Sequence, residues 1–175
     1  VTDSHSSISQ EEAEKLGIFV LPMPFYIDGE CYYESVTLSR ELFFEKLAAG
    51  ADITTSQPSP TAVMEIWDKA LEQFEKILYM PISSGLSGSY ETAMMLAKDE
   101  AYEGRVLVVD DGQVAAPLHQ MVLDTLDMIE KGYEAEQIRD LLERAGDRMM
   151  IYIALQTLEC LKKGGRVTPA AAALG

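Results

Sequence analysis

Segments with helical spacing of apolar residues alternate along this chain with short runs that are apolar at nearly every position, and that alternation restricts the fold more than any other feature. "KILYMPI" and "RVLVVDD" are such runs. A run without a polar side suits a strand covered on both faces, and a helix between two such strands brings the chain back to begin the next one in the same direction. The sequence therefore predicts an α/β fold: a mostly parallel sheet with helices on both faces. A first strand is presumed ahead of His5 in "TDSHSS", and "RMMIYIAL" near the end reads as a further strand. "IFVLPMPFYIDGECYY" reads as strand, turn and strand, because Asp28-Gly29 is a strong hairpin turn signal.

The helices carry their own punctuation. Ser9 and Glu12 match a capping box, and Gly17 is placed to end that helix. Ser39 precedes a helix with Leu42, Phe43 and Leu47 on its apolar face and a stop at Gly50. Ser59-Pro60 opens a helix whose Val63, Ile66, Trp67, Ala70, Leu71 and Phe74 keep core-facing spacing. "PLHQMVLDTLDMIEKG", "EAEQIRDLLERAG" and "TLECLKKGGR" complete the helical set. The nine methionines, with pairs at 94–95 and 149–150, read as adaptable core filling, with a flexible lipid tunnel as the sharper alternative.

At 175 residues and 47% hydrophobic, the chain can bury one substantial core. Residues 1–160 read as one α/β domain and 161–175 as a connection into a second. Val1 at the start and "TPAAAALG" at the end read as the edges of a piece of a longer protein. A formal net charge of −15 opposes nucleic acid and anionic membranes, which need clustered Lys and Arg. Cys31 and Cys160 are too few and too far apart for a metal site or a disulfide framework, which fits a reducing cytoplasm. No apolar stretch approaches the roughly 18 residues of a bilayer span.

Two hydroxyl-rich loops follow predicted strands, where ligands of parallel sheets bind. In "PISSGLSGSY", Ser83 and Ser84 could cap the next helix while Gly85 and Gly88 supply positive backbone angles. Ser87 could instead be a nucleophile, since "GLSGS" approaches the esterase elbow; Ser89 then replaces the final glycine, and only His5 and His119 could serve as base. The third reading is an anion site, with free amides at the helix start and the Ser87 hydroxyl donating to a carboxylate or phosphate. "TTSQPS" offers Thr54, Thr55 and Ser56 as matching hydroxyls. Without a basic cluster or a Walker-type lysine, the two loops suit one carboxylate better than a polyphosphate.

"VTDS", "TTSQPSP", "ISSGLSGSYETA", "VVDDGQVA" and "TLECLKKGGRVTPAAAALG" together resemble, in order and spacing and over essentially the whole chain, the DegV family of bacterial fatty-acid-binding proteins. The resemblance implies a two-domain protein that buries one long-chain fatty acid in a tunnel between its domains. It implies no cofactor and no chemistry by the protein itself, which in some members presents the acid to a separate fatty acid kinase for phosphorylation from ATP. The carboxylate ligands would be Thr55 and Ser87, with Ser56, Ser84, Gly85 and Gly88 near the head group. Arg166 of "GGR" would lie by the head group or on the kinase-facing surface; the competing reading is a solvated cation past a helix end. A serine esterase or acyl transferase using Ser87 is the alternative function. Two departures bear on ligand choice: His5 stands where the family usually has Thr, and Asp111 where Ser is common.

Overall fold

The computed structural model describes residues 1–34, 36–155 and 157–168. The "AAAALG" end of the predicted connection at 161–175 lies outside these residues. The chain divides into two units, neither continuous in sequence: residues 1–23 with 57–150, and residues 24–56 with 151–175.

In the first unit, β1 (Thr2–Asp3) pairs in parallel with β2 (Val20–Leu21), and β6 (Ile77–Tyr79) pairs in parallel with β7 (Val106–Val108). A parallel bridge between Thr2 and Met80 joins the pairs, giving the order β2-β1-β6-β7. Val1 N donates to the Leu78 carbonyl at 2.8 Å and Met80 N to the Val1 carbonyl at 2.9 Å, so the junction is a true ladder. Alternation along the strands sorts the core into two layers. Val20, Leu78, Met80, Leu107 and Val109 face one side. There they meet Ala13 of α1 (Gln10–Leu16), Leu118, Met121 and Val122 of α5 (Ala115–Glu130), and Ile138 and Leu142 of α6 (Ala135–Gly146). Leu21, Ile77, Tyr79, Val106 and Val108 face the other side. They pack on Val63, Trp67 and Ala70 of α3 (Pro60–Leu71) and Ala93 of α4 (Ser89–Leu96). Trp67 is fully buried, edge-on to Tyr79 at 5.4 Å and to Tyr102 at 5.2 Å between centroids. The predicted parallel sheet with helices on both faces is this unit.

The second unit is built on an antiparallel sheet in the order β4-β3-β5, from β3 (Pro24–Ile27), β4 (Glu30–Tyr33) and β5 (Ile53–Thr55). Asp28 and Gly29 both take positive φ, 51° and 87°, as a two-residue hairpin turn requires. Helix α2 (Arg40–Ala48) starts where expected, with Ser39 Oγ accepting the Leu42 N–H at 3.3 Å. Helix α7 (Glu159–Lys163) also lies in this unit.

Several expectations need correction. The run at 149–155 forms no strand; Tyr152 is 88% exposed, and no strand among the described residues pairs with it. No residue of α2 is buried, although Phe43 packs edge-on against Phe25. Phe74 lies past the end of α3 and is half exposed. The methionine pairs at 94–95 and 149–150 are exposed, so the methionines that fill the core are Met23, Met80 and Met121.

Candidate functional site

Because β1, β6 and β7 run parallel, the loops that leave their carboxyl ends gather at one edge of the first unit. Carboxylates fix those loops to one another. Asp3, fully buried, accepts the Ile82 N–H through Oδ2 at 2.8 Å and the His5 N–H through Oδ1 at 2.9 Å. Asp110 Oδ1 accepts from Ser84 N at 3.3 Å and from Gly112 N at 3.2 Å, while Ser83 N donates to the Gln113 carbonyl at 2.9 Å. Asp111 is also fully buried; its Oδ1 accepts the Gln113 N–H at 2.9 Å, and its Oδ2 has no partner. Burial, with Asp110 and Asp3 adding negative charge nearby, pushes the Asp111 carboxyl up to about 7. Helix α6 closes on this loop at Gly146, where a Cβ would stand 2.1 Å from the Asp111 carbonyl oxygen.

Between these braces lies the serine loop. Leu86 N and Ser87 N both donate to the Ser83 carbonyl, at 3.0 and 3.2 Å, and Ser83 Oγ accepts from Gly85 N at 3.3 Å. Ser83 and Ser84 therefore shape the turn and do not cap α4, whose N-cap is Gly88. Neither Gly85 nor Gly88 has a positive φ. What Gly88 provides is space: a Cβ there would lie 2.9 Å from Gln57 Oε1, so the glutamine of "TTSQPS" rests against the serine loop. The expected free amides are mostly occupied, since the N–H groups of Ser84, Gly85, Leu86, Ser87 and Ser89 all have acceptors. The donors left for a ligand are hydroxyls and the first-turn amides of α4 at Tyr90 and Glu91, which find no acceptor among the described residues.

Ser87 is half-buried, and its Oγ lies 2.8 Å from Ser89 Oγ and accepts the Ser89 N–H at 3.3 Å. Ser89, 2% exposed, was considered in the sequence only as the residue that spoils an esterase elbow. Its signal was the Ser-x-Ser spacing across the start of a helix. Neither histidine partners Ser87. His5 Nδ1 lies 3.3 Å from Asp3 Oδ1, and His119 Nε2 lies 3.2 Å from Glu12 Oε1. Among the described residues no group of His, Cys, Asp or Glu is arranged to hold a metal ion, and no helix is long and apolar enough to cross a membrane.

The remaining predicted site residues belong to the second unit. Thr55 is the last residue of β5, opposite Phe25, with its side chain exposed. Ser56, also exposed, continues the pairing through a 3.4 Å bond from its N–H to the Pro24 carbonyl. Arg166 is exposed and donates through Nη1 to the Gly164 carbonyl at 2.7 Å, just past the end of α7. Ser84, Gly85, Ser87 and Gly88 thus share one loop, while Thr55, Ser56 and Arg166 lie on the other unit.

An apolar cavity of about 360 Å³ lies in the first unit, at the edge of the sheet opposite the serine loop. Val1, Phe19 and Ile77 line it, where strands begin, together with Val122, Ile129 and Tyr133.

At the carboxyl edge of this sheet the serine loop is braced by its neighbouring loops, and among the described residues Ser87 Oγ is bonded to Ser89 and to neither histidine. The chain belongs to the DegV family: residues 1–175 match the family described as "Uncharacterised protein, DegV family COG1307". It is 34% identical over its whole length to a DegV domain-containing protein of Deinococcus radiodurans, and 36% identical over 99% of its length to one of Streptococcus pneumoniae. It spans 62% of the length of each. Among solved structures, it superposes with a TM-score of 0.87 and 34% identity on a Thermus thermophilus protein described as "Fatty Acid Binding of a DegV family Protein". That match covers 99% of this chain and 62% of the other. A stearic-acid-binding protein from Eubacterium ventriosum superposes with a TM-score of 0.81 at 25% identity, over 99% of this chain and 61% of its own.

Proposed function

We propose that this chain forms part of a cytoplasmic fatty-acid-binding protein that does no chemistry itself. Thr55 and Ser87 hold the carboxylate, with Ser56, Ser84, Gly85 and Gly88 around the head group. The acyl chain lies in a tunnel whose other wall comes from a second domain, reached through residues 161–175. The protein needs no cofactor and presents the head group to a separate fatty acid kinase, with Arg166 near the exposed end.

The observation that carries the reading is the Ser87 hydroxyl: half-buried, on a loop held by the buried carboxylate of Asp3 and the half-buried one of Asp110, in a fold shared at 34% identity with a protein described as fatty-acid-binding. Neutral donors suffice for a single carboxylate, and charged hydrogen bonds to it contribute about 1.5–3 kcal/mol each. Burying roughly a dozen methylenes at about 0.8 kcal/mol apiece contributes on the order of 10 kcal/mol before ordering costs. The tail therefore sets affinity and the head group sets orientation. The esterase alternative loses support because Ser87 Oγ bonds to Ser89 and, among the described residues, to neither His5 nor His119.

Mass spectrometry of an organic extract from the purified whole protein tests the reading. It predicts long-chain fatty acid near one per protein; an extract free of fatty acid contradicts it.

A further inference from the structure

The contact between Ser87 and Ser89 has a direction that its chemistry decides. A serine hydroxyl has one proton to donate and two lone pairs to accept with. Ser89 is 2% exposed, and among the described residues its Oγ has a single hydrogen-bond partner, Ser87 Oγ at 2.8 Å. If Ser87 donated in this pair, the Ser89 proton would be buried without an acceptor, the costliest arrangement for a polar group. If Ser89 donates, its proton is satisfied, and half-buried Ser87 keeps its own proton for something outside the pair.

The Ser89 backbone N–H also points at Ser87 Oγ, at 3.3 Å. Both lone pairs of Ser87 are then occupied from the same residue, one by an N–H and one by an O–H. What remains is a hydroxyl that can donate and cannot accept. Accepting two bonds also polarises it, which strengthens the bond it gives. Such a group favours an anionic acceptor over a head group that carries its own proton, because a charged acceptor forms the stronger bond.

We propose that Ser89 is a positioning residue that fixes Ser87 as a donor-only hydroxyl and so makes the site prefer a carboxylate to an alcohol head group. This rests on the reading that Ser87 meets the ligand's carboxylate. Gly88 between them lies beside Gln57 Oε1, which a Cβ there would approach to 2.9 Å.

The test is the ratio of affinities for palmitate and hexadecanol in the whole protein, because a general loosening of the fold would lower both. Ser89→Ala should narrow that ratio about tenfold, equivalent to about 1.4 kcal/mol, mainly through weaker palmitate binding. Ser89→Thr, which keeps the donor, should retain the parental ratio. Ser87→Ala should narrow it as well, and adding Ser89→Ala to Ser87→Ala should narrow it no further. A ratio unchanged by Ser89→Ala but narrowed by Ser87→Ala would overturn the role of Ser89 and leave the carboxylate site standing. A ratio and palmitate affinity unchanged by Ser87→Ala would overturn both. Should Ser89→Ala fail to fold, Ser89→Cys keeps the shape with a weak donor; it should narrow the ratio part of the way, and the parental ratio there would equally overturn the proposal.

Discussion

Two loops bearing hydroxyls follow strands in this protein, and they are held in different ways. The serine loop at 81–89 is tied down from outside itself, by Asp3 from 79 residues away and by Asp110 from 26 residues away. The segment at 53–59 is the continuation of an edge strand, positioned by ladder bonds to β3 and by Ser59 capping α3 through the Ala62 N–H at 3.2 Å. In the first, Asp3 and Ser89 are buried and Ser84, Ser87 and Asp110 half-buried; in the second, Thr54, Thr55 and Ser56 are exposed. The difference separates two kinds of residue. On the proposed reading, changing a brace of the serine loop should alter stability and ligand binding together, whereas changing a hydroxyl on the strand should alter ligand binding alone.

The sharpest way to break this comparison is at Asp3. Asp3→Ala removes the acceptor of two backbone N–H groups and leaves that of buried Ile82 without a partner. With charged hydrogen bonds at about 1.5–3 kcal/mol each, unfolding in denaturant should show a loss of roughly 3–5 kcal/mol. A midpoint within error of the parent would mean that the serine loop is held by something else.

Asp111 sharpens the comparison through pH. Its folded-state pKa is about 7, raised from 3.8 by burial, so between those values the folded protein holds a proton that the unfolded chain releases. Stability from this group is complete below about pH 4 and is lost as pH rises toward 7. Asp111→Asn keeps an acceptor for the Gln113 N–H and removes the ionisation. The variant should gain on the parent as pH rises from 4 to 8, by at least about 1–2 kcal/mol, with the gap closing only as pH falls toward 4. A gap that is constant with pH would contradict a raised Asp111.

Local chemistry made much of this fold readable. Ser9, Ser39 and Ser59 each cap the helix they precede, and Asp28-Gly29 makes the hairpin, because caps and tight turns depend on residues within a few positions of one another. Apolar runs marked β6 and β7, since each is buried on both faces. "RMMIYIAL" misled because a strand needs a partner as well as β-favouring residues. At the site, the loop around Ser87 was legible as a polar break before a helix. The acids that brace it were not, because nothing near Asp3 in sequence signals a bond to Ile82. Ser89 was hidden by its burial, which gave it a role that its residue type alone does not reveal.

The central claim is that Ser87 and Thr55 serve one carboxylate from loops of unlike rigidity, and it is tested most directly by titrating palmitate and its methyl ester into the parent, Ser87→Ala and Thr55→Val. Each substitution should weaken palmitate binding by about 1.5–3 kcal/mol and affect the ester far less. Thr55→Val, a change on an exposed strand position, should shift thermal unfolding by no more than about 0.5 kcal/mol. Parental palmitate affinity in both variants would contradict the account, as would equal losses for the acid and the ester.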